Sequence, residues 1–162
     1  MNCKIIDRAS VTKRKILQKF AQDETIFNLI NNKSDNIEYP EDLIGVNLFP
    51  YLKIDYTVEE AGTFIGVKVE YPNINVSNYT YKDTHITVLI VCDNKSLKTD
   101  SGYIRTDLVA ERITELLNYN RWLGYEVRLV SDMEDPLNDK YYYRKIVFKS
   151  EANNTRKKYE SS

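Results

Sequence analysis

HITVLIVCDN, residues 85–94, holds the chain's only histidine and one of its two cysteines inside an otherwise aliphatic run. A regular strand sends successive side chains to opposite faces and rises about 3.3 Å per residue. His85 and Cys92 are seven positions apart, so they point to opposite faces and their backbones lie roughly 23 Å apart. A nucleophile and its base need about 3 Å. The stretch is therefore not a Cys/His catalytic pair, and Cys92 is expected to be a small buried hydrophobe. Ile86, Val88, Ile90 and Cys92 share one face. His85, Thr87, Leu89 and Val91 share the other, which is also partly apolar, so this strand is expected at the centre of a sheet.

Working outward, the same period of two marks further strands. In TFIGVKVEY (63–71) Ile65, Val67, Val69 and Tyr71 oppose Phe64, Gly66, Lys68 and Glu70. YLKIDYT (51–57) alternates Leu52, Ile54 and Tyr56 with Tyr51, Lys53 and Asp55, and the turn VEEAG would join the two strands as a hairpin. YEVRLVSD and YYYRKIVFK close the chain as two more strands around the turn-rich MEDPLNDK. The last alternates Tyr142, Arg144, Ile146 and Phe148 with Tyr141, Tyr143, Lys145, Val147 and Lys149.

Two regions change to helical period. Val11, Ile16, Leu17 and Phe20 are followed by Asp23 as a cap and then by Ile26, Phe27, Leu29 and Ile30, which reads as one broken helix or two short ones. After the central strand, Ile104, Leu108, Val109, Ile113, Leu116 and Leu117 predict the main helix over residues 104–118, with Thr99, Asp100 or Ser101 available to cap it. Between Pro40 and Pro50 lies a connector with room for one helical turn at Glu41 to Ile44. The order α-β-β-β-α-β-β predicts an α+β two-layer sandwich, a mixed or antiparallel sheet with helices on one face. One domain is expected over residues 1–150, with a helical region over 1–34, the sheet over 48–149, and a disordered tail over 151–162.

Composition narrows the function. Twenty-three basic and 24 acidic side chains leave a net charge of -1, which gives no general attraction to phosphate backbones or membranes. MNCKIIDRAS has no apolar segment of signal-peptide length and no 18-residue apolar run follows, so the cytoplasm is the expected compartment, unless the protein travels within an assembly. Thirteen tyrosines suit subunit interfaces, because each supplies a large contact area with a polar tip. None of the five glycines forms a phosphate-cradling loop.

Catalytic constellations fail in the same way. DNKSLKTD and SDMEDPLND lack the spacing of a calcium loop, and KVE at Lys68 to Glu70 reverses the Glu-x-Lys order of a metal-dependent nuclease. A hydrolase would have to use Asp132, Glu134 or Asp135 to hold an ion. No catalytic, cofactor-binding or metal residue is assigned; the expectation is a protein that is not an enzyme and has no cofactor. The basic clusters TKRK and TRKK are more simply a solvated helix face and part of the tail. A nucleic-acid-binding module is the alternative, with Tyr141, Tyr142, Tyr143, Arg144 and Lys145 as the contact; specific nucleic-acid recognition is not expected.

HITVLIVCDN, followed after a polar loop by IRTDLVAERITELLN, resembles the central strand and following helix of the tail terminator, or tail completion, proteins of long-tailed bacteriophages. LIGVNLFPYLKIDYTVEEAGTFIGVKVEYPN is similar to the region carrying that family's first hairpin, and the order of elements matches over residues 10–150. The resemblance implies a structural virion protein at the head-tail junction. Such a protein forms a ring, usually of six subunits, on the end of the tail tube, stops tube polymerisation and joins the head connector. Its partners would be itself, the tail tube protein and head connector proteins, without membrane. Subunit contacts are expected between Phe64 and Val91, at Phe64, Lys68, Glu70, Tyr79, Tyr81, His85 and Thr87.

Overall fold

The aliphatic alternation of HITVLIVCD forms the middle strand of a five-stranded sheet in the computed structural model, which describes residues 8–31, 37–52, 61–72 and 83–150. Along the chain the elements are α1 (Arg8–Gln22), α2 (Glu24–Ile30), a 3-10 turn (Pro40–Leu43), β1 (Leu48–Phe49), β2 (Thr63–Glu70), β3 (His85–Asp93), α3 (Arg105–Leu117), β4 (Val127–Pro136) and β5 (Tyr141–Ser150). The strands lie in the order β1-β2-β3-β5-β4. β1 runs parallel to β2 and every other pair is antiparallel, so the sheet is mixed. The fold is the α+β arrangement expected.

All three helices cover the same sheet face. Ile65, Val67, Val69, Ile86, Val88, Ile90, Ile146 and Phe148 point into a common core with Ile16, Leu17 and Phe20 of α1, Ile26 and Ile30 of α2, and Val109, Ile113 and Leu117 of α3. Burying each such side chain contributes roughly 1.5–3 kcal/mol, so this layer supplies most of the folding drive. Asp23 breaks the first helical region in two: its side chain accepts a hydrogen bond from the Ile26 amide (3.0 Å) and caps α2. Asn47, fully buried, donates to the Ile30 carbonyl (3.2 Å) and the Thr63 carbonyl (3.0 Å), tying the end of α2 to the start of β2. Asp93 does the same at the far end of β3, accepting from the amides of Gly62 (2.7 Å), Lys95 and Ser96 (3.0 Å each).

Four sequence readings are corrected. The strand on the outer side of β2 is Leu48–Phe49 and runs parallel to it, whereas Tyr51 and Leu52 leave the ladder; the rest of the expected 51–57 strand lies outside the described residues. The reason is local. Pro50 has no amide to donate, and Gly66 lets the chain cross over the sheet: a Cβ there would sit 2.5 Å from the Tyr51 carbonyl oxygen. Second, β4 continues to Pro136, four residues past the expected end, because Asp132 and Glu134 alternate toward a cation on β5, and the turn shrinks to residues 137–140. Third, α3 begins after Ile104 without a side-chain cap; Thr99 instead donates to the Tyr103 carbonyl (2.9 Å) within the preceding loop. Fourth, Val11 faces solvent while Thr12 is buried. The expected tail, residues 151–162, lies outside the described residues.

Candidate assembly surface

The face of the sheet turned away from the helices is built by strand parity, and the register sets its rows. Arg128, Lys149, His85 and Glu70 lie across from one another on β4, β5, β3 and β2. The next rows are Ser131, Val147, Thr87 and Lys68, then Met133, Lys145, Leu89 and Gly66, then Asp135, Tyr143, Val91 and Phe64. One end of this face is therefore charged and the other apolar. At the apolar end Leu89, Val91 and Tyr141 form a small buried cluster with Leu52, Leu137 and Tyr143 against it. Phe49 stands 6.4 Å from Phe64 and 5.7 Å from Tyr51, ring centre to ring centre.

The residues expected to meet a neighbouring subunit divide accordingly. Lys68 and Glu70, both half-exposed, form an ion pair at 2.6 Å. His85 sits between Glu70 and Lys149 in the ladder, half-buried. Burial first, and the Lys149 charge second, hold its pKa below the ordinary 6.5, against the opposing pull of Asp83 and Glu70. Phe64 is half-buried against Phe49. Thr87 is buried in the chain's own fold, so it contributes packing there and offers no surface. Tyr79 and Tyr81 lie outside the described residues.

The alternative group does not stay together. Tyr141, Tyr143 and Lys145 are on the open face, while Tyr142 and Arg144 point to the helix side. Arg144 is held by three carboxylates: Asp132 (2.7 Å), Asp107 in the first turn of α3 (2.7 Å) and Glu134 (3.1 Å). These bonds raise its pKa further above the ordinary arginine value and leave little of its fork for a phosphate. The same contacts occupy Asp132 and Glu134, and Asp135 sits across from Tyr143 on the opposite face, so the three acids do not converge on a common point. Cys92 is buried with its sulfur accepting from Thr63 (3.3 Å), and burial pushes its thiol pKa up.

Three surfaces escaped sequence reasoning. β4 is a ten-residue strand at the edge of the sheet, with Val130 and Met133 exposed along it. A bulge between Leu129 and Ser131 interrupts its pairing. On the open face, Lys145, Val147 and Lys149 form a stripe that was visible in the alternation of YYYRKIVFK but carried no motif. Between α2 and α3 lies an open cleft of about 450 Å³, lined by Thr25, Asn28, Leu29, Leu108, Glu111, Arg112 and Glu115.

A family model covers residues 23–150, from the cap of α2 to the last residue of β5. The chain belongs to the YomW family. This YomW-family chain is thereby a phage-associated protein, since the family bears a phage-derived gene name. The YomW match takes in the whole sheet, α2 and α3, and leaves out α1. A comparison with curated proteins returns no match to it.

Proposed function

We propose that the protein is a structural component of the phage head-tail junction: a tail terminator that forms a ring of six on the end of the tail tube, stops its polymerisation and joins the head connector. It works without catalysis or cofactor, and its place is the virion, reached from the host cytoplasm. One observation carries the reading. Helices cover a single face of the sheet, and the charged end of the other face, with one long strand edge, is left for contact. A closed ring needs two different, complementary patches on each subunit, and the charged end of the sheet face and the β4 edge can serve as patches. The phage family and the order of elements agree with the resemblance from which the proposal starts.

Static light scattering on the purified chain over a hundredfold range of concentration, with electron micrographs of the same samples, tests the proposal. Ring-shaped particles of uniform diameter are the expected result. A monomer at every concentration overturns it.

A further inference from the structure

We infer, resting on the ring reading above, that neighbouring copies join head to tail through charge: the acidic outer ridge of α3 in one copy docks on the Lys145–Val147–Lys149 stripe of β5 in the next. α3 turns Val109, Ala110, Ile113 and Leu117 inward, so Glu111 and Glu115, one turn apart, stand exposed on its outer side. On β5 the residues that alternate with the stripe, Ile146 and Phe148, are fully buried in the core beneath the helices. The ridge and the stripe therefore lie on opposite sides of the molecule. Two distinct patches on one copy suit a heterologous, head-to-tail contact, whereas a two-fold dimer uses one self-complementary patch.

The charges match in sign, number and reach. Among the described residues Lys145, Lys149 and Glu111 have no ion-pair partner, while Glu115 shares Arg112 at 2.7 Å. Lys145 and Lys149 are about 13 Å apart along the strand. Glu111 and Glu115 are about 6 Å apart along the helix, and a lysine side chain of similar reach can close the difference at either end. In the docked pair Val147, between the lysines of one copy, meets Leu29 and Leu108 in the α2–α3 cleft of the next. Arg112 also lines the cleft but is engaged by Asp23 and Glu115, so the occupant that fits the two glutamates beside Leu29 and Leu108 is a second copy's stripe of cation, valine, cation.

Charge exchange tests the inference. Two double variants, E111K/E115K and K145E/K149E, are prepared beside the wild type, and their melting temperatures are measured to confirm that these surface changes leave the fold intact. Wild type is expected to associate, and to associate about tenfold more weakly when salt is raised from 50 to 500 mM. Each double variant alone is expected to remain monomeric by light scattering. Mixing the two in equal amounts is expected to restore assembly, because alternating copies then meet with opposite charges on both sides. If wild type forms rings and both variants do too, the surfaces assigned here are wrong while the ring stands. A wild type that never associates removes the ring reading and this inference together. If the variants assemble normally but K145E/K149E alone loses binding to a single-stranded DNA oligonucleotide, the stripe is a polyanion site and the inference falls.

Discussion

Replacing Asp23 by alanine removes a helix cap and an interhelical ion pair at one carboxylate. The side chain is 9% exposed, accepts the Ile26 amide at 3.0 Å, and is gripped by Arg112 through Nη2 at 2.8 Å and Nε at 3.1 Å. A lost aspartate cap costs about 1 kcal/mol. The ion pair, discounted because Arg112 is a third exposed, adds up to about 1 kcal/mol. Asp23→Ala is therefore expected to lose about 1–2 kcal/mol in urea unfolding. Asp23→Asn keeps an acceptor for the cap and loses the charge, so it should lose about half as much. The sign of the pH dependence follows from the carboxyl. Burial alone would raise its pKa, but the hydrogen bonds from Arg112 and Ile26, with the Arg112 charge, outweigh burial and hold it below 3.8. A depressed folded pKa means that this stability is present above about pH 4 and is lost as pH falls through the folded value. The gap between wild type and Asp23→Ala should accordingly be constant from pH 5 to 8 and narrow below pH 4. Equal losses in the alanine and asparagine variants, or a gap that does not change with pH, would refute the reasoning.

Gly66→Ala should destabilise by about 1–3 kcal/mol, because the new methyl meets the Tyr51 carbonyl oxygen at 2.5 Å and the Leu52 Cα at 3.1 Å; an unchanged melting temperature would show that the chain does not cross there. In Lys149→Met the single histidine loses a neighbouring positive charge, so the His85 resonance followed by NMR should titrate at higher pH than in wild type. A downward move would contradict the row built by the ladder. Cys92, buried with its thiol pKa raised, should react with a thiol reagent only as the protein unfolds. Peptide mapping after brief labelling under native conditions checks this, and rapid modification at Cys92 would refute it.

Much of the fold was legible because its signals are local and periodic. HITVLIVCDN is apolar on both faces, and only a strand with neighbours on either side buries both, so its central place followed. The main helix, expected over 104–118, spans Arg105–Leu117, since five of its residues at helical spacing have no other way to leave water. Asp23 was readable as a cap from its chemistry alone. What failed was non-local. Tyr51 and Leu52 alternate like strand residues, yet whether they pair depends on Gly66, fifteen positions later, giving them room to cross. The acids after Asp132 looked like turn residues because nothing near them in sequence reveals Arg144 across the hairpin.

The assembly surface shows the same division. Parity put Lys145, Val147 and Lys149 on one face and Tyr142 and Arg144 on the other, but sequence could not say which of the two faces the helices would cover. Taken alone, the sequence determined the presence of four of the five strands, the helices, and the impossibility of a His85–Cys92 pair, because each rests on the spacing of side chains along one chain. The tertiary structure decided that Arg144 is consumed by Asp107, Asp132 and Glu134, that Thr87 is buried, and that an acidic ridge and a lysine stripe stand on opposite sides. These depend on which elements meet across the sheet, and contact between distant segments is set by how the whole core packs.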